Sequence, residues 1–190
     1  MVTIRHERRF DIPAREALLE EAFGESRWAK AAERLREGRV PAEGMAFVAT
    51  DHGRLVGTVR LWHVTAGRGR PALLLGPLAV AADVRNRGIG TALMQRALGE
   101  ARRQGCRAVL LVGDAPYYGR FGFSPEKTGA LWLPGPYERD RLLGCELAAG
   151  ALDNARGLIA ASRRGRSKPK LGELIAKLGR GKRPALPQIV

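Results

Sequence analysis

The stretch Leu78-Ala79-Val80-Ala81-Ala82-Asp83-Val84-Arg85-Asn86-Arg87-Gly88-Ile89-Gly90-Thr91-Ala92-Leu93 changes character half-way along. It starts as the end of an apolar run, about 72–80, and finishes in the first turns of an amphipathic segment, about 89–104. In that segment Ile89, Leu93, Ala97 and Ala101 recur one helical turn apart, and Met94 and Leu98 widen the stripe. Gln95, Arg96, Glu100, Arg102 and Arg103 face the other way, and Gly105 supplies the cap. Between strand and helix lies Arg85-Asn86-Arg87-Gly88-Ile89-Gly90. Its two glycines let a ligand approach the main chain without meeting a Cβ. The first amides of a helix lack intrahelical partners, and the helix dipole is positive there. A pyrophosphate suits that position, with Arg85 and Arg87 adding charge. The same six residues also read as a plain tight turn with solvated arginines.

Two nucleotide motifs are demoted at this turn. The P-loop needs a lysine after its last glycine, and Thr91 follows Gly90 instead. The dinucleotide fingerprint needs a third glycine where Leu93 stands, and it follows the first strand of a domain, whereas several strands precede this turn.

Those strands are legible on either side. Thr3–Arg5 predicts a short strand, and Pro13–Phe23 predicts a helix from Ala17, Leu18, Ala22 and Phe23. Trp28, Ala31, Ala32 and Leu35 predict a second helix over 27–36, ended by Gly38 and Pro41. Segments 46–50 and 55–64 flank Asp51-His52-Gly53-Arg54 and predict a hairpin. Gly76-Pro77 interrupts the apolar run that follows. Proline has no N–H for the ladder, so a bulge or splay is expected there. Downstream, 108–112 predicts an interior strand, 113–123 a glycine- and aromatic-rich turn with a short helix, and 131–133 and 141–147 the last strands. Strands on both sides of one long helix define a mixed α/β sheet.

Composition narrows the function classes. The chain has 190 residues, 45% of them hydrophobic and 27% charged, which supports a core and excludes global disorder. No apolar run is long enough for a membrane helix, and the start shows no apolar core of a secretory signal. Cys106 and Cys145 stand far apart, excluding a disulfide framework and fitting a reducing cytoplasm. His6, His52 and His63 share no metal-ligand spacing. The net charge of +14 is uneven: from Asn154 onward ten Lys/Arg face one acid, Glu173. The expected organisation is a domain over 1–150 and a basic C-terminal extension over 151–190.

The turn with its preceding Leu78-Ala79-Val80 resembles the acetyl-CoA signature of the GNAT superfamily of N-acetyltransferases, R/Q-x-x-G-x-G/A at the start of the long helix. Downstream, Tyr118-Gly119-Arg120-Phe121-Gly122-Phe123 is similar to that family's Y-x-x-x-G-F element. The string from Gly113 to Phe123 resembles a bacterial subgroup bearing GDxxYYxRFGF. The matches span roughly 1–148. Asp114-Ala115-Pro116 departs from the asparagine-containing helix start common in the family.

The resemblance implies a GNAT-like fold, a mixed sheet that splays in the middle with helices on both faces. It implies acetyl-CoA as cosubstrate, held by Leu78, Ala79 and Val80 through backbone groups and by Arg85, Asn86, Arg87, Gly88, Ile89, Gly90 and Thr91 at the pyrophosphate. It implies direct attack by an amine, with Tyr118 as general acid and Tyr117 as its competitor. Glu20, Glu21, Glu43 and His63 are the candidate bases, although deprotonation through water needs none. Trp28, Trp62, Trp132 and Tyr137 are candidates for the acceptor pocket of a small-molecule or protein amine, and a homodimer is a further expectation. The tail holds a short amphipathic stretch, 171–178, between basic runs. It reads as an appendage docked on the domain or a partner subunit, as a nucleic-acid or ribosome contact, or as a contact with an anionic membrane surface. A second class of function follows from it: an acyl-CoA-sensing protein whose tail binds nucleic acid or ribosome.

Overall fold

The computed structural model describes residues 1–162, and at its centre two parallel strands part company. Strand β4 (Arg70–Val80) pairs with β5 (Ala108–Val112) only at Leu73 opposite Val109 and Leu74 opposite Leu110. Beyond that point β4 runs on to Val80, paired with β3 (Arg54–Ala66) alone. The cause is the expected one. The β3–β4 register jumps from Leu61 opposite Leu75 to Val59 opposite Leu78, so Gly76 and Pro77 together face Arg60. The indole N–H of Trp62, on the neighbouring strand, donates to the Gly76 carbonyl at 2.6 Å and pins the bulge.

The main sheet runs β1 (Val2–His6), β2 (Ala46–Asp51), β3, β4, β5, β7 (Leu142–Glu146). Only the β4–β5 pair is parallel. The predicted hairpin joins β2 to β3, with positive φ at both His52 and Gly53, as a turn matched to strand twist requires. Helix α1 (Ile12–Phe23) carries Pro13 in its first turn and lies against β3 and β4. Helix α2 (Ile89–Arg103) covers β2 and β3 with the predicted stripe, and Ile89, Leu93, Met94, Ala97, Leu98 and Ala101 are all buried. Fully burying one such leucine is worth about 2 kcal/mol. A short helix, α3 (Ala115–Gly119), follows β5.

Two expectations need correction. Residues 27–36 form no continuous helix; two 3₁₀ turns, Glu25–Ala29 and Glu33–Leu35, are separated by an extended Lys30 with ψ of 137°. Ala31, Ala32 and Leu35 are buried as predicted, but Trp28 is 58% exposed, with the Arg27 guanidinium 4.1 Å from its ring centre. Arg27 bonds Glu16 of α1 at 2.6 Å, and Arg36 reaches the bulge at Gly76. These tertiary ties outweigh a weak local helix preference.

The folded unit also runs past the expected boundary at 150. Leu152, Ala155 and Ile159 are buried, and the Leu152 N–H donates to the Glu146 carboxylate at 2.7 Å. The pair β6 (Leu131–Trp132) and β8 (Gly157–Leu158) is parallel, and β9 (Ala160–Ala161) adds to β3 at Val64 and Thr65. The amphipathic stretch 171–178 and its nucleic-acid and membrane readings lie outside the described residues. No helix among the described residues is long and apolar enough to cross a membrane.

Candidate active site

The divergence of β4 from β5 opens into a cavity of about 740 Å³. One limb is lined by Leu78, Ala79 and Val80, by Arg85 and Gly90, and by Val112 and Gly113 at the end of β5. Residues 78–80 pair with β3 on one side and with no strand of the described chain on the other. The floor of this limb is therefore an open strand edge. At its far end α2 begins at Gly88, which adopts a left-handed φ of 77°, and no side chain caps the helix. Its first-turn amides remain available to an anion.

Helix α3 places two phenols in the same limb. A Cβ at Gly113 would stand 2.2 Å from Tyr118 Cε2, so only glycine leaves room for that ring against the end of β5. Tyr118 also meets Phe123 edge-on, with centroids 6.1 Å apart. A Cβ at Gly90 would stand 2.8 Å from the Tyr117 hydroxyl, so this second phenol lies on the first turn of α2. The two rings cross at 83° with centroids 4.8 Å apart. Burial, helped by Tyr117, pushes the Tyr118 phenol up to about 12.

Of the expected coenzyme residues, Leu78, Ala79, Val80, Arg85 and Gly90 line the cavity, as do Tyr117 and Tyr118. Asn86, Arg87, Gly88, Ile89 and Thr91 stand at the turn outside its wall. Asn86 and Gly88 shape that turn with positive φ, the Ile89 side chain is buried in the core, and Arg87 reaches Asp51 at 3.4 Å.

The second limb surrounds the bulge. Trp28, Trp62 and Tyr137 line the same cavity, and Trp62 bonds Gly76 at the bulge. Trp132 does not; it is half-exposed in a separate depression with Arg68 and Leu158. None of the candidate bases Glu20, Glu21, Glu43 and His63 lines the cavity, whereas Glu16, Glu33 and Glu138 do. Sequence reasoning also missed the arginines. Arg15 bonds Glu16 at 2.7 Å, Arg60 bonds Glu7 at 3.0 Å, and Arg36 bonds Glu33 at 3.3 Å. Burial draws the Glu16 carboxyl upward, but Arg27, Arg15 and Arg60 together hold it below its ordinary value. Burial lowers the guanidinium pKa of both Arg36 and Arg60, against the pull of Glu33 and Glu7. The available signal was Arg60 itself, a lone charge inside the apolar Leu-Val-Gly-Thr-Val-Arg-Leu-Trp.

The acetyltransferase (GNAT) family model matches residues 11–123, more than half of the chain. The chain belongs to the GNAT family. This GNAT protein is 32% identical over 158 residues to the uncharacterized N-acetyltransferase YhbS of Escherichia coli K12, covering 82% of this chain and 93% of that one. It is 31% identical over 119 residues to the uncharacterized N-acetyltransferase YjhQ of the same organism, covering 61% of this chain and spanning only 65% of that relative's length. The crystal structure of YhbS in complex with CoA superposes with a TM-score of 0.71 at 30% identity, covering 85% of this chain and 89% of that one. A GNAT acetyltransferase of Brucella melitensis in complex with acetyl-CoA shares the fold, with a TM-score of 0.63 at 24% identity over 86% of this chain and 97% of that one. GNAT membership sets the reaction class, transfer of an acetyl group from acetyl-CoA to an amine.

Proposed function

We propose that this cavity transfers acetyl from acetyl-CoA to a primary amine of a small molecule or protein, with the coenzyme between β4 and β5 and the acceptor at the Trp62 end. One observation carries the reading: the unpaired edge Leu78–Val80 faces a cavity that also holds Tyr118. The residues fit the coenzyme. A strand edge pairs with any extended chain of amides, so Leu78, Ala79 and Val80 would hold the pantetheine arm as they would a peptide. The main chain from Arg85 through Asn86, Arg87, Gly88, Ile89 and Gly90 to Thr91 would receive the pyrophosphate. Bound there, the thioester supplies an activated acetyl group.

This chain's residues then do three things. The open edge orients the acetyl group, and a main-chain N–H of that edge stabilises charge on its oxygen, worth about 3 kcal/mol for one donor. The two limbs hold amine and acetyl group together, replacing a random encounter. Tyr118 gives its proton to the departing sulfur as the C–N bond forms and the C–S bond breaks, and water takes the proton that the nitrogen sheds. A phenol near 12 is a weak acid for a thiol of ordinary pKa. The desolvation that raises Tyr118 also raises the proton affinity of a sulfur leaving in the same limb, which restores the match. Tyr117, at the first turn of α2, is assigned to the coenzyme wall.

The close fit of Tyr118 on Gly113 gives a packing reason for the Gly-Asp-x-x-Tyr-Tyr-x-Arg-Phe-Gly-Phe string, and supports placing the chain in the subgroup that bears it. The buried Cys145 and half-buried Cys106 are both free thiols, which suits the cytoplasm. Residues 163–190 hold nine of the ten basic residues counted from Asn154 onward. The test is thiol release from acetyl-CoA across an amine panel, with calorimetry of coenzyme binding alongside. Amine-dependent release is expected; coenzyme that gives no heat, or no amine-dependent release, would overturn the reading.

A further inference from the structure

The acceptor limb has a charge pattern that the acetyl transfer above does not need. Seven cationic side chains line the whole cavity against four carboxylates. The Arg15, Arg27, Arg36 and Arg60 side chains are only 6%, 13%, 11% and 14% exposed. Each has a buried Nε–H without a hydrogen-bond acceptor among the described residues, although Arg15 Nε lies 3.5 Å from Glu7 Oε1 and Arg27 Nε lies 3.6 Å from Glu20 Oε2. One carboxylate oxygen nearby, Oε2 of Glu7, lacks a donor, so unmet donors outnumber unmet acceptors four to one. Buried guanidinium groups are costly unless matched by acceptors, and Arg15, Arg27, Arg36 and Arg60 all line the cavity.

The bulge focuses the pattern. Arg60 is the β3 residue that faces the two-residue step Gly76-Pro77. A Cβ at Gly76 would stand 2.9 Å from Arg36 Nη2, so the second guanidinium rests directly on the same peptide. Trp62 closes the corner through its bond to the Gly76 carbonyl, and the Arg60 guanidinium lies 5.3 Å from its ring centre. The strand then leads straight into Leu78. Two residues of strand span about 7 Å, so a group bound at the bulge lies a short linker from the reactive edge.

We infer that the acceptor is a small amine carrying a carboxylate or phosphate a few bonds from its nitrogen, and that Arg36 and Arg60 at the Gly76-Pro77 bulge recognise this anionic group. The inference rests on the acetyltransferase reading above. A planar guanidinium pairs with either oxyanion through two parallel N–H donors, and ion pairing at the bulge leaves the neutral amine directed toward the gap. A polycationic acceptor meets the wrong charge here.

Matched pairs of amines test this through thiol release from acetyl-CoA: an α-amino acid against its carboxamide, phosphoethanolamine against ethanolamine, and spermidine as the cationic probe. The anionic member of at least one pair is expected to show a kcat/KM at least about tenfold higher, and the responding pair separates carboxylate from phosphate. Arg60→Gln and Arg36→Gln are expected to erase that preference through KM, with the heat of CoA binding retained as proof of folding. Arg60→Lys is expected to restore part of it. Equal or better turnover of the neutral members, or a preference that survives Arg60→Gln, would overturn the inference alone. No thiol release with any amine would overturn the acetyltransferase reading and this inference with it. The wild-type pairs decide the matter even where a variant fails to fold.

Discussion

The two limbs of the cavity are built from different materials. The limb proposed for the coenzyme is largely backbone: a strand edge at Leu78–Val80, a left-handed Gly88, an uncapped helix start, and two glycines that admit phenol rings. The limb proposed for the acceptor is built from side chains, with arginines and glutamates meeting from α1, the turn Glu33–Leu35 and its flank, and β3. A backbone site needs particular residues in one short run and works with any side chains that stay clear. A side-chain site gathers charges from distant parts of the chain and can change while the sheet stays the same. Under the proposed function, coenzyme recognition belongs to the fold and acceptor recognition to this chain.

The largest expected effect lies where the limbs meet. Tyr118→Phe keeps the ring on Gly113 and removes only the proton donor, so kcat falls by about 10²-fold or more while coenzyme affinity holds. Steady-state rates with calorimetry check this, and turnover equal to wild type would free Tyr118 from the role. Next, Gly90→Ala drives a Cβ toward the Tyr117 hydroxyl and Val80 and strikes the coenzyme limb alone. Coenzyme affinity is expected to fall about tenfold, as for the loss of roughly 1.4 kcal/mol. An unchanged dissociation constant would show that the limb yields more readily than its packing suggests.

Trp62→Phe makes the opposite cut. It leaves the Gly76 carbonyl without its indole donor and is expected to cost about 1–2 kcal/mol of stability. The acceptor KM rises while the heat of coenzyme binding is unchanged; a loss of both together would mean that the bulge serves the two limbs equally. The last prediction concerns pH. Tyr118 keeps its proton to about 12 in the folded protein, against an ordinary value of 10.0. The unfolded chain sheds that proton first, so stability falls as pH rises from about 10 to about 12. Tyr118→Phe flattens that decline in denaturant titrations, and identical slopes would contradict the burial of the phenol.

The same contrast explains what the sequence made legible. The bulge at Gly76-Pro77 followed from proline chemistry, the α2 stripe from period, and the hairpin from Asp51-His52-Gly53, because each rule acts on neighbours along the chain. Tyr118 came through the resemblance, and its packing on Gly113 lies within six residues. The segment 27–36 misled because its apolar spacing matched a helix, while its arginines answer to Glu16 and Gly76 from elsewhere in the chain. Arg15 and Arg36 are unremarkable in sequence, Arg60 stands out only as a charge within an apolar strand, and only the fold brings the three to one cavity. Trp132 failed as a pocket residue because its strand pairs with β8 away from the gap.

Under the proposed function, the parted strands β4 and β5 receive the coenzyme. Amide hydrogen exchange with and without CoA tests it most directly. Slowed exchange is expected at Ala79, Val80 and 88–91, with residues 131–132 and 157–158 unchanged. Protection confined to some other surface, or none at saturating CoA, would contradict it.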